Sequence, residues 1–268
     1  MDNTNEMRSY CGSAGKLKEY LQRKAVNHNS YKYYSKIEYI RTIVKDRVLY
    51  LGNGAKWNDV SDRKSFVSES DCRINFGKCF SYSTDENVAM WMLYGGVYHR
   101  GAMIDFTKRA MRNICDCSTI TLGNMGKDGF KPLFDIEKPR FDIRVIDVVY
   151  YNSENGYIKR SNESVFGVKT DMISTLGAYK KTYPWSYENE CRLVVTIDKV
   201  LVPTECNTVK IDMSGIDLGK SLERVYYCPD FRGTREDGFN KSKLQDLVEW
   251  ELIEAGSVSA IDEGVSTE

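Results

Sequence analysis

Residues 185–197 restrict the folds open to this chain more than any other stretch. The run Trp185, Ser186, Tyr187, Glu188, Asn189, Glu190, Cys191, Arg192 gathers two carboxylates and a guanidinium directly before the apolar, β-branched segment 193–197. Such a segment belongs in a sheet. If the strand begins at Glu188, the period of two puts Glu188, Glu190 and Arg192 on one face and Cys191, Leu193 and Val195 on the other. A Glu–Arg ladder on a half-exposed strand is the plain structural explanation. The chemical one is that like charges held close drive two pKa values apart, so that one group takes a proton while the other stays ionised. Trp185 and Tyr187, placed to wall a pocket, tilt the reading towards a site.

Around this strand the periodicities predict a short amphipathic helix over 15–26 and a strand over 30–34. Ser35 with Glu38 has the spacing of a capping box for a helix over 36–45. A strand over 48–51, a polar loop over 57–71 and a strand ending at 79–82 follow. Thr84 or Asp85 is expected to cap a helix carrying Val88, Trp91, Met92 and Tyr94, which leads into a strand over 102–106. Residues 121–138 read as a long loop, 141–151 as a strand, 164–180 as a helix, 225–229 as a strand and 241–254 as a helix. Strands and helices mix without regular alternation, so the fold class is α+β. The expected organisation is an N-terminal helical extension (1–29), a single α+β domain (30–254) and a disordered acidic tail (255–268).

Charge and cysteine usage exclude several classes. Lys plus Arg and Asp plus Glu number 38 each, which argues against a protein that coats nucleic acid by bulk charge. The charge is polarised, however: residues 8–47 carry ten basic against three acidic side chains, and residues 236–268 carry nine acidic against two basic. The eight cysteines are dispersed and read as reduced thiols, and the close pair Cys115 and Cys117 lacks a partner pair or nearby histidine for zinc. No metal site is expected. With neither a membrane-spanning apolar run nor a signal peptide, the expected location is the cytoplasm. P-loop, dinucleotide GxGxxG, HExxH and GxSxG motifs do not occur.

Three smaller constellations accompany the Glu-x-Glu-x-Arg run. Lys32 among Tyr31, Tyr33 and Tyr34 combines ring-stacking surfaces with an ammonium suited to a phosphate, although aromatic strand residues more often serve a core. Phe80, Ser81, Tyr82 and Ser83 stand at a strand-to-helix junction with hydroxyl donors. Trp91 and Tyr94 lie one turn apart, where core packing is the ordinary explanation, and Asn58 with Asp59 suits a loop-fixing turn.

The order of these segments resembles the bacterial domain of unknown function 2971 family over about residues 31–252: an aromatic-basic-aromatic strand and helix (31–44), an Asn-Asp loop (Asn58, Asp59), a Phe-Ser strand with a Trp-x-x-Tyr helix and a glycine-led strand (80–106), and Trp-x-x-Glu-x-Glu-x-Arg (185–192). That layout resembles the ADP-ribosyltransferases, which split NAD in a cleft between two small sheets flanked by helices. The resemblance implies NAD as co-substrate, Glu190 on the ribose 2′-hydroxyl, Glu188 orienting the acceptor, Ser81 supporting the cleft and Lys32 at the ribose where many relatives have histidine. Tyr33, Tyr82 or Trp91 would stack the nicotinamide, and Lys32 or Arg192 would face the pyrophosphate. It further implies a nucleic acid or protein acceptor and a toxin or phage-defence effector neutralised by an antitoxin protein, with no membrane partner. The competing expectations are a non-catalytic module sensing a nucleotide or nucleic acid through Lys32 and the basic N-terminal region, and a metal-dependent nuclease or hydrolase using the carboxylates.

Overall fold

The computed structural model describes residues 6–57, 59–66, 72–85, 87–95 and 101–228. Asn58, the helix expected over 241–254 and the tail 255–268 lie outside them. The strands are β1 (Ser30–Lys36), β2 (Val48–Gly52), β3 (Arg73–Ser81), β4 (Gly101–Thr107), β5 (Thr119–Gly126), β6 (Gly129–Glu137), β7 (Phe141–Asp147), β8 (Val149–Asn152), β9 (Tyr157–Arg160), β10 (Glu163–Val165), β11 (Lys180–Thr182), β12 (Glu190–Asp198), β13 (Thr208–Asp212) and β14 (Val225–Tyr227). The helices are α1 (Ala14–Ala25), α2 (Ile37–Lys45), α3 (Val60–Phe66), α4 (Val88–Met90, running into a π-helical turn at Trp91–Gly95), α5 (Lys108–Cys115) and α6 (Thr170–Ser174). The result is a mixed α+β fold whose strands pair antiparallel except for β8 with β11. None of the described helices is long and apolar enough to cross a membrane.

The main sheet forks at β3. Its order is β14-β4-β1-β3-β2-β13-β5-β6, with β12 and then β7 attached to β3 as a branch. One edge of β3 pairs with β12 from Arg73 opposite Asp198 to Ser81 opposite Glu190. The other edge makes one bridge to β1, Lys32 opposite Ser81, and one to β2, Gly52 opposite Gly77. β1 and β2 therefore part from β3 in opposite directions and leave the edge at Lys78, Cys79 and Phe80 without a strand beside it. A second sheet, β10-β9-β8-β11, places Lys181 of β11 next to Tyr150 of β8.

Apolar side chains bury on both faces of β12. Cys191, Leu193, Val195 and Ile197 join a core with Phe76, Phe80, Ile104 and Val209, whereas Val194 joins a second core with Leu17, Tyr20, Leu21, Phe66 and Ile146. The strand begins at Glu190 instead of Glu188, yet the alternation expected of its residues holds from there on. The helix expected near the N-terminus is α1, capped by Ser13, whose side chain accepts from the Lys16 amide. It packs into the second core through Leu17, Tyr20 and Leu21 and into the first through Ala25, all fully buried.

Several local expectations are corrected. Lys36 occupies the N-cap of α2 without a side-chain bond, while Ser35 Oγ accepts from Tyr33, so there is no capping box. Asn87, not Thr84 or Asp85, caps α4 by accepting from the Ala89 and Met90 amides. The loop expected over 57–71 contains α3, whose first amides, at Ser61 and Asp62, donate to Asp59 Oδ1. The loop expected over 121–138 is the β5–β6 hairpin, disguised because five successive residues of β6 are exposed and show no alternation. The helix expected over 164–180 is β10, α6 and β11, broken at Gly167 (φ 74°) and Gly177 (φ 57°), both left-handed. The strand expected over 141–151 is split into β7 and β8 after Asp147.

Close approach explains one glycine at the fork. A Cβ on Gly77 would lie 2.4 Å from the Phe66 ring of α3 and 3.3 Å from the Leu193 carbonyl oxygen. Gly77→Ala is expected to cost about 1–3 kcal/mol by forcing α3 outward; denaturant unfolding that matches wild type would contradict this packing.

Candidate functional site

The fork opens into a cavity of about 360 Å³, within the range of small-molecule sites. Its walls come from β1 (Lys32, Tyr33, Tyr34), the open edge of β3 (Lys78, Cys79, Phe80), the π-helical turn (Tyr94) and the segment after β2 (Lys56, Trp57, Asp59, Asp62). Lys181, Trp185, Glu188 and Glu190 complete it. π-helical turns recur at functional sites. Here the turn carries Tyr94, whose hydroxyl donates to Glu188 Oε1 at 2.6 Å.

A buried charge cluster lines one side. Lys181 Nζ donates to Glu188 Oε2 at 2.5 Å and to Glu190 Oε2 at 3.0 Å. Arg192 donates through Nε to Glu190 Oε1 at 2.5 Å, through Nη2 to Asp62 Oδ2 at 2.8 Å, and through Nη1 to the Ala178 carbonyl at 2.9 Å. Lys181, Glu188, Glu190, Asp62 and Arg192 are all at most 7% exposed. Three carboxylates thus meet two cations away from water. Both cations also lie over rings, Lys181 4.8 Å from Trp185 and Arg192 4.9 Å from Trp57.

The surplus carboxylate sets the acidities. Burial, then the charge of Glu190, raises the Glu188 carboxyl from 4.5 to about 7 despite Lys181 and Tyr94. Burial would raise Glu190 too, but Arg192 and Lys181 outweigh it and hold that carboxyl well below the usual range. Asp62 rises from 3.8 to about 6 by burial, opposed by Arg192. Lys181 stays an ammonium: burial disfavours its charge, but Glu190 and Glu188 override that. Burial and the nearby Glu190 push Cys79 well above an ordinary thiol, so it faces the cavity as an unactivated SH group. Among the described residues no cluster of three or more His, Cys, Asp or Glu is disposed to hold a metal ion.

The backbone explains how Glu188 joins strand residues two and four positions on. Glu188 ends a 3₁₀ turn (Tyr183–Glu188), and Asn189 follows in the left-handed region at φ 43°, ψ 58°, which Asn tolerates better than most residues. That kink returns the Glu188 side chain to the face of Glu190. Ser81 Oγ donates to the Glu188 carbonyl at 2.7 Å and fixes the turn from β3. The Glu190 amide donates to Tyr150 Oη at 2.7 Å, joining β12 to the second sheet.

Of the residues singled out from the sequence, Glu188, Glu190, Lys32 and Tyr33 share the cavity. The Lys32 ammonium is engaged with the backbone: it donates to the carbonyls of Ser83, Thr84 and Asp85 at 2.7, 2.7 and 3.2 Å, fastening the loop after β3. Four of the expected site residues, Ser81, Tyr82, Trp91 and Arg192, lie outside the cavity walls; Ser81 holds the Glu188 turn. Tyr82, just past β3, stacks on His28 at 4.1 Å. Trp91 is fully buried against Tyr34. Arg192 stands behind Glu190 with no exposed surface, so it sets the charge of Glu190 and meets no pyrophosphate. Lys181 and Asp62 were missed. Lys181 lies one residue past the helix expected over 164–180, and Asp62 in the loop expected over 57–71, where only the Asp59 spacing to Asp62 hinted at a capped helix.

Glu188 has a testable pH signature. Its folded pKa lies above the unfolded value, so the folded state holds the extra proton between about pH 4.5 and 7, and stability falls as pH rises through that window. Glu188→Gln cannot lose that proton, and its stability relative to wild type is expected to improve by on the order of 1–3 kcal/mol between pH 5 and 8. Urea unfolding at the two pH values checks this; an unchanged or worsening difference would contradict the raised acidity.

No curated protein and no solved structure matches the chain. The family model described as "Protein of unknown function (DUF2971)" matches residues 90–193, a stretch that runs from the end of α4 through Lys181, Glu188, Glu190 and Arg192. Over that stretch the chain is similar to the DUF2971 family.

Proposed function

We propose that the cavity binds NAD and that the protein transfers ADP-ribose to a nucleic acid or protein acceptor, as the resemblance to ADP-ribosyltransferases implies. The observation that carries the reading is the Glu188–Glu190 pair: two carboxylates bridged by one lysine at an aromatic-lined cavity, one ionised throughout the neutral range and the other changing state near pH 7. Loss of nicotinamide breaks the ribose C1′–N bond, the electron pair leaving with the ring to make it neutral, and positive charge develops on the sugar. A fixed anion beside that sugar stabilises the charge, as in glycoside cleavage. Glu190 supplies the anion and holds the 2′-hydroxyl. Glu188, when ionised, takes the proton that the acceptor loses as its oxygen or nitrogen bonds to C1′. Trp185, Tyr33 and Trp57 offer rings to the nicotinamide and ribose, and Lys56 and Lys78 lie on the walls for the phosphates. A toxin or phage-defence role with an antitoxin partner accompanies this reading.

One observation favours a non-catalytic module instead: every oxygen of Glu188 and Glu190 already accepts from a protein donor. Such a module binds nucleotide without turnover.

The test is nicotinamide release from NAD by wild type, Glu190→Gln and Glu188→Gln, with RNA, DNA or cell extract as acceptor, each variant first shown to be folded by circular dichroism. The expected result is release that rises with pH through a limb near 7, falls at least about 100-fold in Glu190→Gln and loses the limb in Glu188→Gln. Tight NAD binding with no release under any condition selects the binding module.

A further inference from the structure

We propose that Asp62 is a ligand-binding residue whose Oδ1 accepts a hydrogen bond from the ribose 3′-hydroxyl, beside the 2′-hydroxyl held by Glu190, so that the two carboxylates together read a cis-diol. The inference deepens the proposed function and rests on it. Asp62 lines the cavity and is 3% exposed. Its Oδ2 takes Arg192 Nη2 at 2.8 Å, whereas its Oδ1 is buried and has no hydrogen-bond partner. A buried carboxylate oxygen is seldom left unpaired, and each such exception asks for an explanation. Both oxygens of Glu188 and of Glu190 have protein donors, so among the described residues Asp62 Oδ1 is the one carboxylate oxygen of the cluster with none, while each Glu190 oxygen keeps a second acceptor site for the 2′-hydroxyl.

The arrangement selects the chemistry of that ligand. A guanidinium commonly presents its Nε–Nη2 edge to one carboxylate as a fork. Here the edge is divided, Nε to Glu190 and Nη2 to Asp62, which sets two different carboxylates side by side. Adjacent acceptors match adjacent hydroxyls on one ring. A ligand ammonium gains little there, because Lys181 and Arg192 already neutralise Glu190 and Asp62. Trp57, over the Arg192 guanidinium and on the cavity wall, supplies a flat surface for the face of a sugar.

The experiment is calorimetric titration of the full chain with NAD and with two analogues, one lacking the 2′-hydroxyl and one the 3′-hydroxyl of the nicotinamide-side ribose. It is run on wild type, Asp62→Asn and, should that variant fold poorly, Asp62→Glu. Wild type is expected to bind the 3′-deoxy analogue about tenfold or more weakly than NAD, as for a hydrogen bond to a charged acceptor. That penalty is expected to shrink below about threefold in Asp62→Asn, with the 2′-deoxy penalty kept. A 3′ penalty of equal size in wild type and variant, or no 3′ penalty in wild type, overturns the assignment of Asp62 while NAD binding leaves the proposed function standing. Failure of folded wild type to bind NAD at all overturns the proposed function and this inference with it.

Discussion

A lysine ammonium held out of water between two carboxylates is stable only if each charge is served by others, and this requirement organises much of the molecule. Lys181 bonds Glu188 and Glu190 together. Arg192 then serves Glu190 from behind and reaches on to Asp62. Removing one member of such a cluster typically costs about 3–5 kcal/mol, because its partner is left buried and uncompensated. A core without these charges would be simpler to build, so a cluster of this kind beside a cavity is better explained by chemistry than by stability.

Glu190 and Arg192 share β12, and the other members arrive on different elements. β11 pairs in parallel with β8 and brings Lys181 to the base of the cavity, and the left-handed Asn189 folds Glu188 back beside Glu190. Asp59 caps α3 through Oδ1 and accepts from Thr182 of β11 through Oδ2, so that Asp62 is tied to the strand that carries Lys181. The fork at β3 provides the space. With only one bridge each to β1 and β2, β3 leaves its edge at Lys78–Phe80 open, where a continuous sheet would have filled it. Lys32 holds the loop at the end of β3 through three backbone carbonyls and keeps that mouth in place.

How much of this was legible depended on whether a local pattern or a distant partner decided the outcome. The strand at 190–197 and the grouping of Glu190 with Arg192 followed from alternation alone, since β12 is buried on both faces and its residues are fixed by neighbours of either hand. α1 was legible as a helix but not as core, because the surface that buries Leu17 and Tyr20 comes from Ile146, Val149 and Val194, more than a hundred residues away. Lys181 gave no signal: a lysine beside another lysine reads as solvated until a strand pairing known only in three dimensions places it between two glutamates. Tyr82 and Trp91 misled for the opposite reason. Aromatics near a strand end suit a ligand or a core equally, and one residue of register decides which, as Ser81 faces the Glu188 turn while Tyr82 faces His28.

The central claim is that one charge cluster divides the acidities of Glu188 and Glu190. Carbon-13 titration of the side-chain carboxyls of glutamate-labelled protein observes this directly, with Glu188→Gln and Glu190→Gln to assign the resonances. The account predicts one glutamate that titrates near 7 and vanishes in Glu188→Gln, and another that stays ionised at every pH where the protein remains folded and vanishes in Glu190→Gln. Two glutamates titrating together near the ordinary 4.5 would contradict it.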